Sequence, residues 1–146
     1  TKDMAAYLQT SLKEAERVKL TNVSAFSDFA EETSTFEVEI PNDDLRKNIN
    51  EKEISKIAEL RFEDIIDEVN EQIKNIGKAY TDFKSGIKLC GGGSKARNID
   101  LLFKKHYADI PIEFIKMKNI VYKEDFEDKR EYVTLIGLLA WPIFNV

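Results

Sequence analysis

This sequence predicts an α/β fold. Helical apolar spacing recurs in several segments, short apolar or alternating runs fall between them, and a glycine triplet stands where one such run gives way to a helix. In chain order the elements are helix, strands, long helix, strand, helix, strand, helix, a pattern open to an α/β or an α+β arrangement.

From Asp3 the residues Ala5, Ala6, Leu8, Leu12, Ala15 and Val18 repeat at helical intervals, which describes one amphipathic helix ending near Lys19. Residues 23–26 and 35–40 read as strands. The second alternates Phe36, Val38 and Ile40 against Glu37 and Glu39, and an acidic, Ser/Thr-containing loop fills 27–34. Asn50 with Glu53 makes a capping box, and the long helix it opens runs to about Gly77, where glycine supplies the stop. Its stripe is Ile54, Ile57, Ala58, Ile65, Val69, Ile73 and Ile76. After a loop over 80–85 come a strand at Ile87-Lys88-Leu89, the glycines, and a helix opening near Asn98 that carries Ile99, Leu102, Phe103 and Tyr107. Pro111 introduces a strand over 112–115, a short extended piece is expected at 120–122, and a charged run over 123–131 leads into the last helix. Pro142 should stop that helix at Trp141.

A chain of 146 residues, 42% hydrophobic, can bury one real core or two small ones sharing an interface. The net charge of -5 argues against a polyanion partner, so no nucleic acid is expected. Cys90 is the single cysteine and His106 the single histidine, which excludes an internal disulfide and a Cys/His metal site. The longest apolar stretch, 132–144, contains Thr134, Gly137 and Pro142 and is shorter than the roughly 18 to 20 residues a membrane span requires. Thr1-Lys2-Asp3-Met4 shows no signal-peptide pattern, and the expectation is a cytoplasmic chain that is a piece of something longer.

Cys90-Gly91-Gly92-Gly93-Ser94 carries the most chemistry. Three glycines between strand and helix either pack a βα unit tightly or let backbone come against a flat ligand. The spacing fits neither the G-x-x-x-x-G-K-[ST] phosphate loop nor the G-x-G-x-x-G dinucleotide turn, so a triphosphate cradle is excluded. Glu16 and Lys19 stand three apart at the end of the first helix. They form either a solvated ion pair, which spacing alone favours, or an acid for ribose hydroxyls beside a base for a purine edge. Arg61 lies at the margin of the long helix's apolar stripe. It either covers neighbouring apolar surface, pairs within the chain, or meets an acidic partner.

Four stretches together resemble the C-terminal ATPase subdomains of the actin-like superfamily, and most closely the FtsA family of bacterial cell-division proteins. Residues 1–19, closing in Glu14-Ala15-Glu16-Arg17-Val18-Lys19, look like that family's helix ending in A-E-R-x-K, and residues 54–69, with Arg61-Phe62-Glu63-Asp64-Ile65, are similar to its long helix with an A-R-x-x-E-I-like core. Ile87-Lys88-Leu89-Cys90-Gly91-Gly92-Gly93-Ser94-Lys95 is similar to the L-T-G-G-G adenosine motif, and residues 132–139 to the terminal Y-x-x-x-x-G-L-L helix. The four span nearly the whole chain in the family's order.

The resemblance implies part of an actin-like, ribonuclease H-like ATPase half with a small α/β insertion subdomain. Residues 1–22 and 84–146 would belong to subdomain IIA and 23–83 to the IIB insertion. It implies Glu16 as the ribose acid, Lys19 as the base beside adenine, Gly91, Gly92 and Gly93 as the wall under the ring, and Lys95 over the other face. It also implies a tail peptide of the tubulin-like FtsZ on the insertion, with Arg61 at that contact. Two departures stand out: Ala96-Arg97-Asn98 replaces the family's proline after the glycines, and no aspartate-glycine phosphate loop occurs. ATP with Mg²⁺ is therefore expected in the full-length protein with none required by this piece. Hydrolysis is not expected of this chain and is weak at most in the parent. Self-association into polymers, and a membrane-associated place at the septum on the inner face of the membrane, reached through a segment outside this chain, are likewise implied. A piece of another actin-like ATPase, an MreB-like filament protein or a DnaK-type chaperone, is the alternative, and a plain α/β interaction module is a third.

Overall fold

The computed structural model describes residues 1–41, 46–116 and 129–144. The first amphipathic segment is two helices, not the single one expected: α1 (Lys2–Leu8) and α2 (Leu12–Asn22). Gln9 closes α1 in the left-handed region at φ 54°, and the Ser11 hydroxyl restarts the helix by accepting from the Glu14 N–H at 3.1 Å. The apolar spacing carries across the break, which is why periodicity alone missed it, and α2 runs past Lys19 to Asn22.

Residues 23–26 are extended but form no strand, only an isolated parallel bridge between Ser24 and Arg97, and a 3-10 turn follows at Ser27–Phe29. β1 (Thr35–Glu39) pairs antiparallel with β2 (Arg46–Asn50), setting Phe36 opposite Ile49. β2 was not expected, because Ile49 is its one apolar residue. The hairpin still buries a face through Val38 and Ile49.

α3 (Glu51–Asn75) opens at the expected Asn50 cap, with Asn50 Oδ1 accepting from the N–H groups of Lys52 and Glu53 at 2.9 and 3.2 Å, but the reciprocal Glu53 half of the expected capping box is replaced by another bond. The Glu53 carboxylate accepts from the Tyr7 hydroxyl and so ties the start of α3 to α1. Gly77, at φ 71°, supplies the stop, its N–H reaching Lys74 O at 2.8 Å. The stripe needs correction in its second half. Ile54 and Ala58 are buried as expected, but Ile66 takes the interior position at 0% exposure while Ile65, Val69 and Ile76 lie exposed. α3 is long enough to serve two different neighbours, and the face it buries changes between them.

β3 (Ile87–Leu89), α4 (Ile99–His106) and β4 (Ile112–Phe114) form a βαβ unit, with β3 and β4 parallel and Ile87 opposite Ile112. The loop before β3 holds a 3-10 turn at Tyr80–Asp82. α5 (Val133–Phe144) continues beyond Trp141 instead of stopping there. Proline has no N–H for the carbonyl four residues back, so the helix passes this point with one bond fewer. The extended segment expected at 120–122 lies outside the described residues. No helix among the described residues is long and apolar enough to cross a membrane.

The apolar interior is two clusters. One joins α1, α2, the hairpin and the first half of α3 around Leu8, Val18, Val38 and Ile54; the other joins Phe26, Ile66, Leu89, Leu102 and Tyr107 around the βαβ unit. Both expected subdomain segments contribute to each cluster. Glu59, nearly enclosed on α3, accepts from Ser27 N at 2.9 Å and from the Ser27 hydroxyl, and pairs with Lys105 Nζ at 3.0 Å. Burial alone would raise its carboxyl pKa, but the hydrogen bonds from Ser27 and Lys105 outweigh burial and hold it below the ordinary value.

Two outcomes follow from this packing. Ile66→Ala costs about 2–5 kcal/mol in urea unfolding, whereas Ile65→Ala stays within about 1 kcal/mol; equal losses would contradict the buried face assigned to α3. Glu59 has a depressed folded pKa, so its contribution is present above the unfolded carboxylate range and is lost as pH falls through the folded value. The melting-temperature gap between the parent and Glu59→Gln is therefore widest near neutral pH and narrows below about pH 4.

Candidate functional site

The glycine bend begins where β3 ends. Gly91 sits at φ 82°, a conformation that favours glycine, and Gly92–Lys95 then make a 3-10 turn. Buried Ser94 closes the bend, its hydroxyl donating to Gly91 O at 2.7 Å, while Gly91 N donates to Arg130 O at 2.8 Å. Gly92 and Gly93 differ from Gly86. A Cβ on Gly86 would stand 2.2 Å from the carbonyl oxygen of Pro111, whereas one on Gly92 or Gly93 would meet nothing within 4 Å. Gly86 is thus needed for packing, and Gly92 and Gly93 leave open space against bare backbone.

Beyond the bend the chain is clamped to the exit of α2. Ala25 N donates to Arg97 O at 2.8 Å, and Asn98 Nδ2 donates to Ser24 Oγ at 3.0 Å. Ser24 N in turn donates to Ser55 Oγ on α3 at 3.0 Å. Arg97 also pairs with buried Glu51 and donates to Asn22 O at 3.3 Å. Asn98, at φ 61°, enters α4 without the proline the family pattern carries, held by Ser24 instead.

Between the end of α2, the glycine bend and the middle of α3 lies a cavity of about 350 Å³. Of the residues singled out from sequence, Lys19, Gly92, Gly93, Lys95 and Arg61 all line it. Glu16 and Gly91 do not. Glu16 stands behind Lys19, its carboxylate 2.6 Å from the ammonium, and hydrogen bonds from Lys19 and Thr1 hold its pKa below the ordinary carboxylate value. Lys95 pairs with Glu131 at 3.4 Å, and Arg61 with Asp64 at 3.3 Å.

Sequence reasoning missed a large part of the wall. Ile57, Phe62 and Ile65 of α3, with Leu20 after Lys19 and Ala96 after Lys95, supply apolar surface, and Arg97 adds a further cation. Leu20 is 74% exposed and Ile65 46%, so the mouth is edged with uncovered apolar side chains. Such a slot, lined by apolar side chains, by Lys19, Arg61, Lys95 and Arg97 with the acid Asp3, and by glycine backbone, suits a flat ligand with polar edges. A residue next to a motif, as Leu20 is, was the available signal; nothing in the sequence marked α3 as a wall.

The fold is that of an actin-like protein. Over 77% of the chain and 37% of the other, the structure superposes on the MreB5 protein of Spiroplasma citri bound to AMPPNP, with TM-score 0.59 and 27% identity. A second structure of MreB5, bound to ADP, matches 99% of the chain and 45% of the other with TM-score 0.65 and 22% identity, a likeness of fold. The chain belongs to the family described as Cell division protein FtsA, whose profile matches residues 1–137. FtsA of Bacillus subtilis (strain 168) is 37% identical over 92 residues, 63% of this chain and 20% of that protein. FtsA of Porphyromonas gingivalis (strain ATCC BAA-308 / W83) is 25% identical over 138 residues, 94% of this chain and 28% of that one. The chain thus spans between a fifth and a third of these relatives, and the FtsA family, rather than the MreB or DnaK alternative, is the one its sequence joins.

The glycines separate by substitution. Gly86→Ala lowers stability by about 2 kcal/mol or more through its clash with the Pro111 carbonyl, while Gly92→Ala stays within about 1 kcal/mol, both read by chemical denaturation. A stable Gly86→Ala protein would contradict the close approach described for that turn.

Proposed function

We propose that this chain carries the adenosine side of an ATP site in an FtsA-type cell-division protein, and that its long helix contributes to a surface receiving the C-terminal tail of FtsZ. The observation that carries the first part is the shared cavity: Lys19 and Lys95 stand at one space with the bare backbone of Gly92 and Gly93, from positions far apart in sequence. The family resemblance supports the roles. Lys19 lies beside the adenine, Glu16 steadies it from outside the cavity lining, Gly92 and Gly93 form the wall under the ring with Gly91 turning the chain into it, and Lys95 lines the same space. The AMPPNP in the MreB5 structure agrees with an adenine nucleotide as the ligand.

The residues present fit the nucleoside better than the phosphates. In this reading Mg²⁺, held through one or two carboxylates and the phosphates themselves, and the phosphate contacts belong to other parts of the full-length protein. ATP bound there would supply an occupancy signal, and this chain's own residues bind and orient the base and ribose without hydrolysing it. Any turnover, weak at most, needs the rest of the protein. The division into residues 1–22 and 84–146 as subdomain IIA and 23–83 as IIB belongs to the same proposal. So do self-association and a place on the cytoplasmic face of the membrane at the septum.

For the tail, Arg61 is the assigned contact. Its side chain is 66% exposed and lies beside exposed Leu60 and Ile65 on α3, a cation within apolar surface of the kind an acidic, partly hydrophobic helical peptide recognises.

Two titrations check the two halves. ADP binds the parent chain and Lys19→Ala weakens it about tenfold or more, the effect of losing a charged hydrogen-bond donor; undiminished binding would remove Lys19 from the site. A labelled FtsZ tail peptide, followed by fluorescence anisotropy, binds the parent and loses affinity in Arg61→Ala. No binding by the parent would remove the adaptor role.

A further inference from the structure

The wall that α3 contributes to the cavity has no counterpart among the nucleotide-binding residues singled out from sequence. Ile57, Arg61 and Ile65 follow one another at one-turn spacing and, with Phe62, all line the cavity that Lys19, Gly92 and Gly93 also line. The other cations of the lining are held by groups outside it: Lys19 by Glu16 at 2.6 Å, Lys95 by Glu131 at 3.4 Å, and Arg97 by buried Glu51 and the Asn22 carbonyl. Arg61 uses one guanidinium nitrogen on Asp64, 3.3 Å away on the same helix, with both side chains about two-thirds exposed. A pair of that kind is worth a few tenths of a kcal/mol and leaves most of the five guanidinium donors, and both faces of the plane, to a ligand.

We propose that Arg61 is a nucleotide-contacting residue that lays its guanidinium plane against the purine base, closing the cavity from the side of α3. This rests on the nucleotide site proposed above and adds a residue to it. The base is the part contacted because the neighbours of Arg61 in the wall, Ile57, Phe62 and Ile65, are apolar. A flat ring gains from burial against them and from the cation on its face, whereas a phosphate there would have the guanidinium as its donor but lose water on the apolar sides. A guanidinium stacks where an ammonium does not, so the geometry asks for arginine rather than for positive charge alone.

The experiment is a nitrogen-15 NMR titration of the whole 146-residue chain with adenosine and with ADP, in the absence of peptide so that the tail and nucleotide roles of Arg61 stay separate. It is run on the parent, Arg61→Ala, Arg61→Lys and Lys19→Ala. In the parent, both ligands shift the backbone amides of Gly92 and Gly93, and the Arg61 Nε–H moves under the ring current of the base. Arg61→Ala raises the dissociation constants of adenosine and ADP by a similar factor, about three- to tenfold, and Arg61→Lys recovers little of it. The exposed position of Arg61 predicts an unchanged melting temperature for both variants. If neither ligand shifts the parent's glycine amides, the nucleotide site itself fails. If the parent binds, Lys19→Ala weakens binding and Arg61→Ala does not, the site stands and the Arg61 contact is overturned. A loss for ADP without a loss for adenosine would place Arg61 on phosphate and overturn the stacked geometry.

Discussion

The cavity depends on the hydrogen bonds that meet at Ser24. This residue is fully buried, and its backbone and hydroxyl are taken up by three different parts of the chain: Ser55 on α3, Asn98 at the entry to α4, and the carbonyl of Phe26. Buried polar groups left without partners are costly, so this joint holds only when the exit of α2, the face of α3 and the exit of the glycine bend all arrive together. Arg97 adds a second tie between the same parts through Glu51, and its own carbonyl receives the Ala25 N–H. The hollow between α2, α3 and the bend is what these ties leave unfilled.

That joint also stands between the two apolar clusters. Val23 belongs to the cluster around α1, α2 and the hairpin, and Ala25 and Phe26 to the cluster around the βαβ unit, so the chain passes from one interior to the other within a few residues. α3 makes the same passage, burying Ile54 in the first and Ile66 in the second. A cavity at such a junction has walls held by separate cores.

Much of this was legible from residue patterns. The Asn50 cap, the Gly77 stop and the strand–glycine–helix order from Ile87 to His106 all appear as read, because each is set by groups within a few positions of one another. Errors fell where one kind of local signal stood in for another. The apolar period of α1 and α2 continues through a left-handed Gln9 and a capping Ser11, and β2 has too little apolar content to announce a strand. β2 pairs because β1 presents a row of backbone N–H and C=O groups that need partners, a requirement that lies in β1, and Ile49 then joins Val38 in the cluster of the helices.

By itself the sequence determined the mixed helix-and-strand class, the motif-bearing ends of α2 and β3, and the family, since these rest on short spacings and on residue identity. Only the tertiary structure decided that Lys19, the glycine bend and Arg61 face one space, and that α3 supplies a wall. The contacts responsible join residues as far apart as Ser24 and Asn98, 74 positions along the chain. No local preference of either residue carries that distance; it is fixed by burial of the two cores and by the cost of leaving the Ser24 polar groups unpaired between them.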